Sequence, residues 1–152
     1  MGWAARRACA LVSLALASLL VCAPLSAQTI TTSGPPDPLA VRTAMAGRQP
    51  DHAVAGGSTY SVVVSAANQK ITGQLDTPMP AGTTLRVTLV APSGAVSSGT
   101  IALDTSPRDL VTGLQIGSFT NLTITYRLEA TTNAGRVSLS SRTVTLRIVA
   151  GP

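Results

Sequence analysis

The chain has 152 residues, of which 45% are hydrophobic, 11% charged and 3% aromatic. This length allows one domain with its own core but excludes a multidomain enzyme, and the low charged content excludes a disordered chain. The formal net charge of +5 reflects few carboxylates rather than a basic cluster, so the composition argues against a nucleic-acid-binding protein.

The first segment has the three parts of a secretory signal peptide. Arg6 and Arg7 precede an apolar run over Ala8–Ala23, and Leu25–Ala27 forms a small-residue exit. The run is shorter than the roughly 20 residues that span a bilayer, so we predict cleavage after residue 27 rather than an uncleaved membrane anchor. We therefore expect a secreted, periplasmic or cell-surface protein whose mature chain does not span a membrane.

Cleavage would remove both cysteines, Cys9 and Cys22, and leave a cysteine-free mature chain. Disulfides commonly stabilise small secreted domains, so their absence favours an exported bacterial protein. Such a domain is stabilised by its hydrophobic core alone. After the loss of Arg6 and Arg7, nine of the 11 basic residues remain beside all six acidic ones.

Residues 28–58 are predicted to form a leader with little regular structure. Three prolines within 34–38 remove backbone donors and fix φ, which prevents a helix or an inner strand. Glycines at 56 and 57 supply a flexible joint at its end. Between them, the alternating residues Leu39–Met45 predict one weak edge strand.

From Thr59 onward, apolar and polar residues alternate with a period of two, and no helical periodicity occurs. The predicted strands cover 60–66, 70–75, 85–90, 101–103, 110–116 and 122–130, followed by a bulged strand from Val137 to Ile148. Short strands with one apolar face predict an all-β domain over 59–152, a two-sheet antiparallel Greek-key sandwich of about seven or eight strands. A closed barrel is the alternative.

The segment Tyr126–Gly135, followed by serines at 140 and 141 and by Thr143–Leu146, is similar to the final hairpin of immunoglobulin-like and fibronectin type III-like domains. In those families a tyrosine begins the penultimate strand, an alanine ends it, an Asn/Gly loop follows, and serine precedes the last strand. The resemblance covers roughly residues 120–150 and implies a β-sandwich whose last two strands form one hairpin.

Few residues are candidates for chemistry. His52, the single histidine, lies in the predicted leader and is interpreted as a mobile surface residue. Asp104 and Asp109 bracket one turn, where capping of the turn is favoured over a shared calcium ion. Glu129 and Arg127 are interpreted as a solvated charge pair rather than as an acid–base dyad. We therefore predict no catalytic residue, no metal, no cofactor and no enzymatic activity.

The outward face of the predicted last hairpin, with one further strand, presents threonine hydroxyls and guanidinium groups. Such groups suit the hydroxyls and carboxylates of an acidic glycan, although they are also ordinary on a solvated strand face. The candidate glycan-contact residues are Arg86, Thr123, Thr125, Arg127, Thr143, Thr145 and Arg147.

The sequence predicts an exported, non-catalytic module of the bacterial cell envelope or exterior, structural or adhesion-like, whose partner is a protein or glycan of the envelope. Two alternatives remain: a pilus-type subunit that polymerises by strand exchange, and a small binding protein for an acidic carbohydrate. We expect a monomer, because the domain has its own final strand over 144–148 and does not leave a gap for a donor strand.

Overall fold

The structure is a computed structural model that describes residues 28–42, 48 and 52–152. The predicted signal peptide, residues 1–27, lies outside the described residues. The strands in the described ranges are β1 (Thr29–Thr32), β2 (Ala53–Val64), β3 (Gln69–Leu75), β4 (Thr83–Leu89), β5 (Val96–Ser97), β6 (Ile101–Ala102), β7 (Arg108–Leu114), β8 (Gly117–Ala130) and β9 (Val144–Ala150). Between β8 and β9 lies one short 3₁₀ helix, Thr132–Ala134.

These strands form two antiparallel sheets, which confirms the predicted all-β, two-sheet architecture. The five-stranded sheet has the order β1-β2-β8-β4-β6, and the four-stranded sheet has the order β5-β7-β3-β9. From β3 onward, every strand lies in the opposite sheet from the strand before it. Among the strands of the described ranges, β1 and β2 are therefore the only pair adjacent both in sequence and in a sheet.

The antiparallel pairing divides the connections between two ends of the sandwich. The turn end carries three short connections, residues 65–68, 90–95 and 115–116. The loop end carries residues 33–42, 76–82, 103–107 and 131–143. The two longest connections of the described chain, which include residues 33–42 and 131–143, therefore lie at the loop end.

The core lies between the sheets and follows the predicted alternation. In β4, Leu85, Val87 and Leu89 are buried, whereas Arg86 and Thr88 between them are only partly buried and face outward. Tyr126 of β8 is 8% exposed and faces the core. The buried cluster comprises Tyr60, Val62, Val64, Ile71, Leu75, Leu85, Val87, Leu89, Leu103, Leu110, Val111, Leu114, Ile124 and Tyr126.

The predicted final hairpin is wrong. β8 pairs with β2 and β4 in the five-stranded sheet, whereas β9 pairs with β3 in the four-stranded sheet. Residues 131–143 consequently cross between the sheets instead of turning within one. The predicted strand residues Val137 and Leu139 lie in this crossing without a strand assignment, and Leu139 is fully exposed.

The N-terminal edge strand lies earlier than predicted. β1 pairs with Tyr60–Val63 of β2, and Ile30 packs against the core. Leu39 to Arg42 form no strand, and residues 43–45 of that prediction lie outside the described residues. The prolines immediately before Leu39 cannot donate to a sheet, whereas β1 precedes them. β2 begins at Ala53, within the residues that were predicted as leader.

Candidate functional site

The outer face of the five-stranded sheet is centred on β8. Because Ile124 and Tyr126 are buried, the residues that alternate with them face away from the core. These outward residues are Thr123, Thr125, Arg127 and Glu129. The prediction that Thr123, Thr125 and Arg127 share one outward face agrees with this alternation.

Neighbouring strands extend this surface with further hydroxyls and one more cation. Arg86 of β4 lies directly opposite Arg127, so two like charges meet across adjacent strands. Thr84 and Thr88 of β4 lie opposite Glu129 and Thr125. On the other side of β8, Thr59 of β2 lies opposite Thr123. These residues and the four outward residues of β8 are called the arginine face below.

One carboxylate holds the two guanidinium groups side by side. The Nε of Arg86 donates to Oε2 of Glu129 at 2.9 Å, and the Nε of Arg127 lies 3.1 Å from Oε1. The Arg127 contact is an ion pair without hydrogen-bond alignment, because its buried Nε donates to no acceptor in the described chain. Glu129 thus offsets the repulsion between the two arginines and fixes their spacing.

Charge and protonation follow from this arrangement. The hydrogen bond from Arg86 is the main cause of the lowered pKa of Glu129; burial opposes it as the second-largest effect, and the positive charges of Arg86 and Arg127 lower the pKa further. The carboxylate is therefore ionised at neutral pH and leaves the triad of Arg86, Arg127 and Glu129 with one excess positive charge. The arginine side chains are 37% and 43% exposed, so this charge is available to an anion in solution.

The structure divides the seven predicted glycan-contact residues between two sheets. Arg86, Thr123, Thr125 and Arg127 lie on the arginine face. Thr145 and Arg147 lie on β9, opposite Gln74 and Thr72 of the four-stranded sheet, and Thr143 precedes that strand. The prediction that all seven form one surface is wrong, because the outer faces of the two sheets point in opposite directions.

Sequence reasoning missed the threonines at 59, 84 and 88 and the bridging role of Glu129. The alternation in β4 and β2 would have placed these threonines outward, but it carries no information on which strand lies beside β8. Glu129 was interpreted only as a partner of Arg127, because Arg86 is distant in sequence and adjacent in the sheet.

The other acidic candidates have their own partners. Asp104 caps its turn, since Oδ1 accepts from the Ser106 amide at 2.8 Å, and its Oδ2 binds Arg108. Asp109 forms an ion pair with Lys70 at 3.0 Å. His52 is exposed immediately before β2. Asp104 and Asp109 are therefore engaged separately rather than in a shared site, and the described residues contain no cluster of three or more metal-ligating side chains.

A shallow apolar cleft of about 330 Å³ opens at the loop end. Its lining includes Leu39, Val41, Met79, Leu128, Leu139 and Arg142. These residues come from three connections and the end of β8, and Arg142 donates from its Nε to the Pro78 carbonyl at 2.9 Å. The cleft therefore combines apolar walls with a cation at its rim.

Comparison of the chain with family models, with curated proteins and with solved structures gives no match. Within the part of the chain that the structure describes, no helix has the length and apolar character needed to cross a membrane.

Proposed function

We propose that the protein is an exported, non-catalytic, adhesion-like module of the bacterial cell envelope or exterior that binds an acidic carbohydrate on the arginine face. The observation that carries the proposal is the pair of guanidinium groups that Glu129 holds side by side among threonine hydroxyls. This joins the adhesion-like role to the acidic-carbohydrate specificity that the sequence offered as an alternative.

The chemistry of the surface supports a polymeric acidic sugar. A guanidinium group offers several N–H donors in a fixed plane that match the two oxygens of a carboxylate. Each threonine hydroxyl both donates and accepts, as does each hydroxyl of a sugar. Since these groups lie on a flat sheet rather than in a pocket, the ligand is an extended chain with repeated weak contacts.

The test is binding of the mature protein to polygalacturonate, with dextran as the neutral control, by isothermal titration calorimetry. Arg86→Gln and Arg127→Gln are each expected to weaken binding about tenfold or more, since each removes a charged hydrogen-bonding partner. Arg147→Gln provides the matched control, because Arg147 is an exposed arginine on the opposite sheet.

The outcomes distinguish specific binding from general attraction. Binding to polygalacturonate that survives both arginine-face substitutions, or that Arg147→Gln weakens equally, would mean that net charge alone attracts the polymer. Equal binding to dextran would remove the acidic specificity. Thermal melts of each variant verify that the fold persists.

The alternative of a strand-exchange subunit is weaker than a monomeric module. β1, the strand nearest the N-terminus in the described chain, pairs with β2 of the same chain. Thr31 and Ser61 are direct partners there, at a Cα spacing of about 5.5 Å or less that a disulfide can bridge. The variant Thr31→Cys/Ser61→Cys is therefore expected to form a disulfide within one chain. Disulfide-linked ladders on a non-reducing gel would instead favour strand exchange.

A further inference from the structure

The crossing between the two sheets, residues 131–143, carries an apolar tip. Leu139 is fully exposed and Val137 is 42% exposed, and the residues around them at 138, 140 and 141 are serines. Two large apolar side chains exposed two positions apart, with polar residues around them, form an apolar patch of the kind that marks an interaction surface.

The tip is flanked by positive charge. Arg136 precedes it and is exposed, and Arg142 follows it and lies at the rim of the cleft. No carboxylate among the described residues forms an ion pair with either arginine. Asp76, an acidic residue of the loop-end connection 76–82, accepts hydrogen bonds from the backbone amides of Thr77 and Thr143.

We propose that this tip docks the protein on an anionic lipid surface, with Leu139 and Val137 inserted at the interface and Arg136 and Arg142 against the headgroups. Apolar side chains that enter the acyl boundary beside arginines that attract anionic lipid are the pattern of interfacial binding. Each basic side chain near an anionic leaflet strengthens attachment, and salt weakens it.

The shape of the tip favours a lipid surface over a protein partner. Leu139 contributes to the wall of the shallow cleft, yet its side chain is fully exposed rather than enclosed, and leucine is under-represented among the residues that dominate protein–protein binding. A fluid interface accepts a protruding apolar side chain without a matching pocket. The proposal uses the proposed function only to place the protein outside the cytoplasm, and it is independent of the arginine face.

The experiment measures co-sedimentation of the full mature protein with vesicles of phosphatidylcholine alone and of phosphatidylcholine with about one-third phosphatidylglycerol. Binding is expected only to the anionic vesicles. Leu139→Ser is expected to weaken it about tenfold, because the inserted apolar area is lost. Arg136→Gln is expected to weaken it about fivefold.

Ile116→Ser is the matched control. Ile116 is a large apolar residue that is 66% exposed, but it lies at the turn end, whose connections contain no charged residue. Its substitution is expected to leave vesicle binding unchanged, as is Arg127→Gln on the arginine face.

Three results would overturn the proposal. The first is native protein that binds anionic vesicles no better than neutral ones. The second is binding that Leu139→Ser leaves intact. The third is a concentration-dependent dimer in size-exclusion chromatography that Leu139→Ser abolishes, which would assign the tip to a contact between protein chains. Loss of polygalacturonate binding with lipid binding retained would reject the proposed function alone.

Discussion

The turn end and the loop end close the same sandwich by different means. At the turn end, connections bond directly to strands or to the residues that follow β9: the Tyr60 hydroxyl donates to the Val90 carbonyl at 2.6 Å, and the Gly151 amide to the Asn68 carbonyl at 2.8 Å. At the loop end, connections bond to strands and also to each other, as when the Thr131 amide donates to the Gly82 carbonyl at 2.8 Å.

The two ends also differ in charge, which is concentrated in the loop-end connections. None of the residues in 65–68, 90–95 and 115–116 is charged, whereas the described loop-end connections include Asp37, Arg42, Asp76, Asp104, Arg136 and Arg142. The turn-end connections serve to join one strand to the next and carry no charged side chain that could bind a ligand. Longer connections are freer to vary and to carry binding residues, which is why the proposed lipid contact lies there.

Removal of the Tyr60 side chain is expected to have the largest effect on stability. Tyr60 is 1% exposed and contributes its ring to the core. Tyr60→Ala is therefore expected to lower the free energy of unfolding by about 3 to 5 kcal/mol. Leu139→Ala at the loop end is expected to cost less than about 0.5 kcal/mol, because that side chain is fully exposed. Similar losses of unfolding free energy in urea melts of the two variants would contradict the burial of Tyr60 and the exposure of Leu139.

A loop-end glycine tests whether contacts between connections matter to stability. Gly82 has φ +75, and a Cβ there would lie 2.5 Å from the Ala134 nitrogen. Gly82→Ala is expected to cost about 2 to 4 kcal/mol, from backbone strain and from the displaced 3₁₀ helix.

Gly99 is the matched control, because it has the same φ of +75 but nothing within 4 Å of a Cβ. Gly99→Ala is expected to cost about 1 kcal/mol from strain alone. Equal costs for the two variants in denaturant melts would show that the contact with Ala134 contributes nothing.

The alternation of the sequence was sufficient to predict which side chains face the core, but not which strands are partners. Leu85, Val87 and Leu89 point inward whatever strand lies beside β4, because the pleat alone fixes their direction. The pairing of Arg86 with Arg127 depends on strands that are distant in sequence. Adjacent strands commonly form hairpins, and that expectation fails here because successive strands change sheet.

The residues around Leu139 show a second limit of the pattern. Val137 and Leu139 alternate with serines as a strand would, yet no strand of either sheet pairs with them in the described chain. An alternating sequence shows that a segment is able to form a strand. Whether it does so depends on whether the path of the crossing brings it beside the edge of a sheet. For the arginine face, the sequence likewise predicted the types of residue and half of the members, but not that these residues form one surface.

The tyrosine hydroxyl of the turn end gives a smaller, pH-dependent effect. Tyr60→Phe is expected to cost about 1 kcal/mol, because the Val90 carbonyl loses its donor. Burial raises the pKa of Tyr60 from 10.0 to about 12, so the folded state retains the phenolic proton to higher pH than the unfolded state. This stabilisation is complete below pH 10 and is lost as pH rises toward 12.

Melts of the native protein and of Tyr60→Phe across that pH range test the sign. The native protein is expected to lose stability more steeply than the variant. Some slope remains in the variant, because burial also raises the pKa of Tyr126. A variant as steep as the native protein would show that Tyr60 does not titrate with folding.

The smallest expected effect concerns the clamp between the loop-end connections. The Asp76 carboxylate accepts from the Thr143 amide at 3.0 Å, and this hydrogen bond is the main cause of its lowered pKa. Because the folded-state pKa is lowered, the clamp contributes above the unfolded value and weakens as pH falls through the folded one. Asp76→Ala removes the acceptor at every pH, so the crossing over 131–143 is expected to open more often while the core remains intact.

Limited trypsin digestion measures this opening at Arg136 and Arg142, where cleavage is expected to become severalfold faster. Asp104→Ala is the control, because its carboxylate bonds to Ser106 and Arg108 and does not touch the crossing. Acceleration by both variants alike would point to a general loosening of the loop end, whereas acceleration by Asp76→Ala alone would show that this one carboxylate holds the crossing beside the apolar tip.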